Sequence, residues 1–274
     1  MTQPYKIATL SSSDLLNGLK APYYYILLFD ETADFSLDFN AYTASGKTMV
    51  FLSPYQFLKW ISPRQVRVSA VIFHGDFYCI EYHKKEVACN GLLFNNIYQH
   101  PHITVSDATF REVSDIIERM AAYNKEQDGF DIAILRSYLQ LVLALSSKEK
   151  QQQLAQKTLE HNDHNTITDF QQILETHYLQ SKDVSFYAAM YGLSVNAFSK
   201  KIKLYTGKTP SLLIRDRVVL EAKKILHLTN KPVKEIAGDL NFEDEFYFSR
   251  YFKKEIGVSP RQFRETVGIS IVAK

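Results

Sequence analysis

The sequence predicts a multidomain chain of mixed α and β class. An N-terminal β-barrel with following helices precedes an all-α domain of two helix-turn-helix units joined by a long helix. Three observations predict it. Residues 20 to about 100 carry short apolar or alternating runs, the period of buried or half-buried strands. After His102 apolar residues recur at helical spacing. The last hundred residues repeat themselves at an offset of 49 and then 50.

The strand runs are Tyr23–Phe29, Ser36–Tyr42, Lys47–Leu52, Gln56–Ile61 and Val66–Phe73. Turn material separates them at Asp30-Glu31, Ser45-Gly46, Ser53-Pro54, Ser62-Pro63 and Gly75-Asp76. Strands at that spacing, with one or two buried faces, suit a small sandwich or barrel. Its core is expected from the aromatics Tyr23, Tyr24, Tyr25, Phe29, Phe35, Phe39, Phe51, Phe57 and Trp60. The same set would suit an apolar or planar small molecule, and would equally suit a filled core in a domain that only dimerises.

Helices are expected over Asp107–Asn124, through Val113, Ile116, Ile117 and Met120, and over Asp131–Ser146, with Gly129 between them. The second carries Ile134, Leu135, Tyr138, Leu141, Val142 and Leu145 and is apolar nearly all round. Such a helix is either sandwiched inside a domain or paired with a copy of itself. Lys148–Asn165 is rich in Gln, Lys, Asn and His, the composition of a linker, with partial helix as the alternative. The expected domains are therefore residues 1–150, a linker over 151–165, and 166–270.

Composition narrows the class. With 46% hydrophobic and 23% charged residues the chain is globular, away from the disordered range. No run approaches the roughly 20 continuous apolar residues that span a bilayer. The start, Met1 to Leu16, lacks the basic and apolar segments of a secretory signal. A cytoplasmic location without membrane association is the expectation. Cys79 and Cys89 are too few for a disulfide framework, are not spaced like a zinc site, and read as small buried hydrophobes. Residues 161–274 hold 17 Lys and Arg against 13 Asp and Glu, and the first 160 hold 15 against 17. This mild bias agrees with a C-terminal partner that is a polyanion, and it contributes little by itself.

The repeat contributes most. Val184-Ser185-Phe186-Tyr187-Ala188 lies on Val233-Lys234-Glu235-Ile236-Ala237 at an offset of 49. Past the turn, Phe198-Ser199-Lys200 lies on Phe248-Ser249-Arg250, and Gly207-Lys208-Thr209-Pro210 on Gly257-Val258-Ser259-Pro260, at 50. Each copy opens with a short helix whose inner small residue, Ala188 or Ala237, permits a steep close crossing. A turn follows, Gly192-Leu193-Ser194 or Asn241-Phe242-Glu243-Asp244. Gly192 and Asn241 tolerate the left-handed conformation such a turn needs. Ser194 and Asp244 are N-caps for the second helix, which runs to Gly207 or Gly257 with Pro three residues on. Leu212–Leu228 is the connecting helix, carrying Leu213, Ile214, Val218, Ala222, Ile225 and Leu226, and Pro232 opens the helix after it. A rigid connector sets the separation of the two second helices. They read one face of B-DNA when about 34 Å apart.

Residues 166–266 resemble the DNA-binding domain of the AraC family of bacterial regulators. The resemblance is carried by Ile236-Ala237, Asn241-Phe242 and the string from Tyr247-Phe248-Ser249-Arg250 through Gly257-Val258-Ser259-Pro260 to Arg264. Asn241 stands where the family usually has Gly. The resemblance implies recognition helices at Val195–Tyr205 and Glu245–Ile256. It implies base-facing candidates Asn196, Ser199 and Lys200 in the first, and Glu245, Phe246, Ser249 and Arg250 in the second. Arg or Lys can donate to guanine O6 and N7, and Asn can pair with adenine. Glu can accept from cytosine, and Phe can lie on a thymine methyl. Lys201, Lys203, Lys208, Lys253, Lys254 and Arg261 are the phosphate candidates. Glu243-Asp244-Glu245 repels phosphate, and its simplest role is to stabilise a helix N-terminus. Phe198, Ile202, Phe248 and Phe252 are core positions by their i, i+4 spacing.

The wider arrangement is similar to the same family, in which a cupin-like effector domain precedes dimerisation helices. That likeness rests on strand spacing and on Val71-Ile72-Phe73-His74-Gly75-Asp76-Phe77, which looks like the strand-to-helix exit of such barrels. It implies double-stranded promoter DNA, RNA polymerase, a small-molecule effector and a second copy of the chain as partners. The homodimer would form through helices 107–124 and 131–146. A metal-dependent cupin enzyme would need a His-x-His pair on a strand with a nearby Glu. His100-Pro101-His102 has Pro in the ladder and no Glu in the next four residues, so a loop is expected there. His161 and His164 fall in the linker, and neither cysteine has an activating cluster of the kind an alkyl-accepting repair enzyme needs. The expectation is a regulator, not an enzyme, with no cofactor and no metal. Activation against repression depends on operator position, which the sequence does not encode.

Overall fold

A computed structural model describes residues 4–38, 40–61, 66–79, 92–94, 97–123, 129–160 and 165–268. The chain divides into two compact units. One is Met1–Asn96 with His100–Ala155; the other is Gln156–Gly268 with the short segment Ile97–Gln99.

In the first unit the strands are β1 (Tyr5–Ser11), β2 (Tyr24–Phe29), β3 (Ala33–Leu37), β4 (Asn40–Ala44), β5 (Thr48–Leu52), β6 (Leu58–Trp60), β7 (Arg67–Phe73) and β8 (His102–Thr104). All pairings are antiparallel. They form a five-stranded sheet, β1-β7-β2-β5-β8, and a three-stranded sheet, β4-β3-β6. The expected barrel is thus two sheets, and their ladders do not close among the described residues.

The reason β2 reads Tyr-Tyr-Ile-Leu-Leu-Phe without polar interruption is that both its faces are covered. Tyr24, Ile26 and Leu28 join one apolar cluster with Met49, Phe51, Val71 and Phe73. Helices α2 (Asp107–Ala122) and α3 (Gly129–Glu160) cover that side through Val113, Ile117, Met120, Leu135, Leu139 and Val142. Tyr25, Leu27 and Phe29 face the second cluster, shared with Phe35, Leu37, Leu58 and Trp60 of the small sheet. Each fully buried aromatic here stabilises by about 1.5–3 kcal/mol. Phe29, Phe35 and Trp60 are among those whose rings meet.

Several expectations are corrected. Ser36–Tyr42 is not one strand but the end of β3, a tight turn and most of β4, with Leu37 opposite Asn40. Asp38 at φ 53° makes the turn possible. Asp tolerates that conformation better than most residues. Strands β1 and β8 and the short helix α1 (Ser12–Leu16), closed by a capping box between Ser11 and Asp14, were not anticipated. His102 lies in β8 opposite Val50 rather than in a loop, and Pro101 precedes the strand, its carbonyl accepting the Phe51 amide at 2.9 Å. The expected linker is largely helix: α3 runs on to Glu160 because Gln, Lys and Ala are good helix formers. Beyond Phe73 the chain turns at residues 75–77. Phe39, Cys89, His161 and His164 lie outside the described residues.

The Gly129–Gln156 part of α3 is long and apolar enough, by length and composition, to cross a bilayer. One side of it is packed into the first unit's core through Leu135, Leu139, Val142 and Leu143. Its other side leaves Phe130 82%, Ile134 38% and Leu141 43% exposed.

The second unit is all helix: α4 (Asn165–His177), α5 (Val184–Met190), α6 (Val195–Thr206), α7 (Pro210–Leu228), α8 (Val233–Asp239), α9 (Glu245–Ile256) and α10 (Pro260–Val267). Helix α7 touches α5 and α6 of the first repeat and α8, α9 and α10 of the second. Packing from both sides explains its near-continuous buried set, Leu213, Ile214, Val218, Val219, Ala222 and Leu226. Phe170, Tyr187 and Phe198 fill one lobe edge to face, and Phe242, Phe248, Phe252 and Phe263 fill the other through tilted and edge-on contacts.

Candidate nucleic-acid interface

Both repeats build the same device from matching residues. Ala188 and Ala237 are each 1% exposed, so the two helices of each pair meet at a small side chain. Gly192 at φ 62° and Asn241 at φ 53° take the left-handed turn in equivalent places. The turn then delivers an N-cap. Ser194 Oγ accepts the Ala197 amide at 3.3 Å, and an Asp244 carboxylate oxygen accepts the Tyr247 amide at 2.6 Å. Helices α6 and α9 end at Gly207 (φ 72°) and Gly257 (φ 86°). Thr209 and Ser259 cap the helices that begin with Pro210 and Pro260.

Burial fixes which side of each second helix points outward. Phe198 and Ile202 hold α6, and Phe248, Phe252 and Ile256 hold α9. Opposite them, Asn196, Lys200, Lys201 and Lys203 are exposed on α6, with Ser199 half-buried. On α9, Phe246 (69%), Arg250, Lys253 and Lys254 are exposed, with Glu245 and Ser249 half-buried. Each outward face therefore joins hydrogen-bonding side chains to cations, a combination that can engage base edges and phosphates. The acidic start of α9 is explained locally, since Asp244 is spent on the cap and a carboxylate suits a helix N-terminus.

Ion pairs seat the helices. Arg215 of α7 meets Glu255 of α9 at 3.0 Å. Arg217 bonds Glu175 of α4 at 2.8 Å and Glu221 at 3.1 Å, with its guanidinium over the Tyr178 ring. Burial pushes the Tyr187 hydroxyl up to about 12, and its proton goes to the Ser181 carbonyl at 2.9 Å. The backbone and side-chain hydrogen bonds from Ser185 hold the Asp183 carboxyl below its ordinary value.

The geometry divides the phosphate candidates. Arg261 is strongly exposed although it pairs with Glu265 at 2.9 Å. Lys208 stands apart from the others: only 13% of its side chain is exposed, and its ammonium is held by Asp216 at 3.3 Å and the Ile97 carbonyl at 2.9 Å. A cation so engaged is less available than the exposed lysines of α6 and α9. Exposed apolar groups on these helices went unnoticed in the sequence: Val195 (43%), Leu204 (79%) and Tyr247 (50%). In the first unit, the rings of His100 and His102 lie 5.4 Å apart beside Tyr42. Among the described residues no group of three or more His, Cys, Asp or Glu is arranged to hold a metal.

Two helix-turn-helix pairs on one shared helix define the class of this unit: a double helix-turn-helix domain. A helix-turn-helix domain family is matched over residues 187–266. Among curated proteins, the HTH-type transcriptional activator RhaS of Escherichia fergusonii is 26% identical over 183 residues, covering 65% of this chain. The chain spans about 60% of that relative's length. Solved structures include the C-terminal domain of the response regulator yesN from Fusobacterium nucleatum. It is 29% identical, with TM-score 0.35, over 36% of this chain and 98% of that one. Apo ToxT from Vibrio cholerae is 12% identical, with TM-score 0.42, over 97% of this chain and 98% of that one. The C-terminal region carries a helix-turn-helix domain.

Proposed function

We propose that the chain is a sequence-specific DNA-binding transcription regulator. The observation that carries this reading is the pair of capped second helices, α6 and α9, mounted on one α7 and each turning a polar, cationic face outward. Base reading is assigned to Asn196, Ser199 and Lys200 of α6 and to Glu245, Phe246, Ser249 and Arg250 of α9. Lys200 and Arg250, equivalent across the repeat, lead each set. Phosphate contacts are assigned to Lys201, Lys203, Lys253, Lys254 and Arg261. The partners are promoter DNA and RNA polymerase, and the compartment is the cytoplasm. The matched relative's printed role as an activator favours activation. No catalytic step is part of the reading.

The first unit is assigned two tasks. Pairing with a second copy is supported by α3, where Phe130, Ile134, Ser137, Leu141 and Ala144 are exposed at 4-3-4-3 spacing, the heptad of a helix pair. Response to a small molecule is supported by the aromatic cluster between the sheets, where Trp60 Nε1 is buried with no hydrogen-bond partner among the described residues. A donor in that state favours a ligand acceptor. The alternative, a first unit that only oligomerises, is favoured by how fully Phe29, Phe35 and Trp60 are already buried.

Genome-wide mapping of bound sites, with and without the gene, tests the main reading. Discrete sites sharing a two-part sequence are expected. Uniform recovery of DNA, indifferent to the gene, would refute it.

A further inference from the structure

Lys182 lies just before α5, in the first repeat, and reaches into the second. Its ammonium donates to the Leu240 carbonyl at 2.9 Å and to the Asn241 carbonyl at 2.8 Å. It also sits 4.3 Å from the centroid of the Phe242 ring. Leu240 is the C-cap of α8, and Asn241 and Phe242 form the turn that aims α9. A helix C-terminus ends in carbonyls without intrahelical partners and carries partial negative charge, so an ammonium belongs there. Over an aromatic face the same cation gains a further attraction. Burial holds the lysine below its ordinary value, so the charge is retained against a desolvation cost, and these acceptors offset that cost.

The repeat shows that this contact is not a by-product of the motif. Lys231 occupies the equivalent position before α8, at the offset of 49. It stays within its own repeat, bonding Asp239 at 2.7 Å. Two lysines in matching places therefore do different things, and only the first ties the two repeats together. Its partner residues are the ones whose backbone sets the direction of the second recognition helix. The consequence is mechanical. Over the roughly 34 Å between successive major grooves, a tilt of about 10° displaces a reading side chain by about 6 Å, nearly two base-pair steps.

We infer that Lys182 is a positioning residue that clamps the second helix-turn-helix to the first and so sets the half-site spacing the domain accepts. This rests on the DNA-binding reading above, and two measurements separate the failure of each.

The first uses no DNA. In the full chain carrying Cys79→Ser and Cys89→Ser, spin labels are placed at Leu204→Cys, on the exposed side of α6, and at Glu243→Cys, in the exposed turn before α9. Lys182→Met keeps the aliphatic stem and removes the charge; it is expected to broaden or shift the label-to-label distance distribution. Lys182→Arg, which keeps donors and cation, is expected to restore a single narrow distribution. A distribution unchanged by Lys182→Met overturns the clamp. If Lys182→Met does not fold by circular dichroism, Lys182→Gln, which removes the charge and shortens the reach, takes its place, and the same widening is required of it.

The second measurement uses an operator selected from random DNA by the wild-type chain, resynthesised with the half-sites moved one or two base pairs together or apart. Wild type is expected to lose at least tenfold in affinity with each shift. Lys182→Met is expected to bind the original operator about tenfold more weakly and to respond less than threefold to spacing, and Lys182→Arg to behave as wild type. Equal weakening of Lys182→Met at every spacing overturns the clamp. A wild type that selects no sequence overturns the DNA-binding reading instead, and the DNA-free distances still decide whether Lys182 holds the repeats.

Discussion

The salt dependence of DNA binding separates exposed cations from engaged ones, and the structure supplies the count. Lys201, Lys203, Lys253, Lys254 and Arg261 stand exposed on or beside the outward faces of α6 and α9. Lys208 does not, being held by Asp216 and the Ile97 carbonyl. Each neutralised phosphate releases condensed counterions and adds about −0.9 to the slope of log affinity against log salt. Five such contacts give a slope of about −4.5, or about 500-fold weaker binding between 50 and 200 mM salt, close to 4 kcal/mol. Lys254→Ala is then expected to reduce the slope by about 0.9, weakening specific and random DNA alike. Lys208→Met is expected to leave it unchanged. Fluorescence anisotropy with a labelled duplex over a salt series measures all three. A flat wild-type response would refute the electrostatic footprint. A slope lowered as much by Lys208→Met as by Lys254→Ala would show that Asp216 gives up its lysine on binding and would refute the division of the cations into engaged and exposed.

Arg250→Ala and Lys200→Ala should each cost about 1–3 kcal/mol at a cognate site and far less on random DNA, by competition binding. Equal losses on both would make them phosphate contacts instead. Leu141→Glu, on the exposed seam of α3, should shift the chain toward monomer in sedimentation velocity while circular dichroism stays unchanged; an unaltered assembly removes α3 from the interface. Ser259→Ala deletes the side-chain cap of α10 and should cost about 1 kcal/mol in denaturant unfolding. The depressed Asp183 carboxyl gives a pH test. Its folded value lies below its unfolded one, so its contribution is full above the unfolded value of about 3.9 and is lost as pH falls through the folded value. Asp183→Asn should therefore melt lower than wild type near neutrality, and the gap should close in acid; a constant gap would assign the effect to packing.

What the sequence disclosed follows from how local each signal is. The second unit was legible because its determinants lie within a few residues of one another and occur twice. The caps Ser194 and Asp244, the turn residues Gly192 and Asn241, and the stops Gly207 and Gly257 all stand where the repeat placed them. In the first unit the strand period was legible but the breaks were not. The β3–β4 turn uses Asp38 rather than Gly or Pro, so nothing interrupted the pattern. Strand β8 is three residues long and held by pairing with β5, a contact that no local window contains. Helix α3 outran its expected end because linker-like polarity and high helix propensity coincide in Gln, Lys and Ala. The engagement of Lys208 and the reach of Lys182 were not legible for a related reason. A lysine's role depends on the acceptors it meets, and for Lys182 these lie 58 and 59 residues away.

The two repeats share a frame and differ in what they present. At matched positions α6 offers Val195, Asn196, Lys200 and Leu204 where α9 offers Glu245, Phe246, Arg250 and Lys254. Core positions did not diverge in the same way: Phe198 and Phe248 are the same residue, both essentially buried. Core positions stay apolar where they differ, as Ile202 against Phe252, whereas the outward faces change in chemical character, so the two helices do not prefer the same half-site. On the proposed function the operator is then a directional pair of unlike half-sites. A regulator that binds with a defined polarity presents the same side of itself toward the promoter each time. Direction would be lost if the halves could swing independently, since each would then settle on whichever half-site lay near. The shared α7 prevents much of that motion, and the Lys182 contact acts on what remains. Recognition by this domain therefore depends on the relation between its two copies as much as on the residues that face the bases.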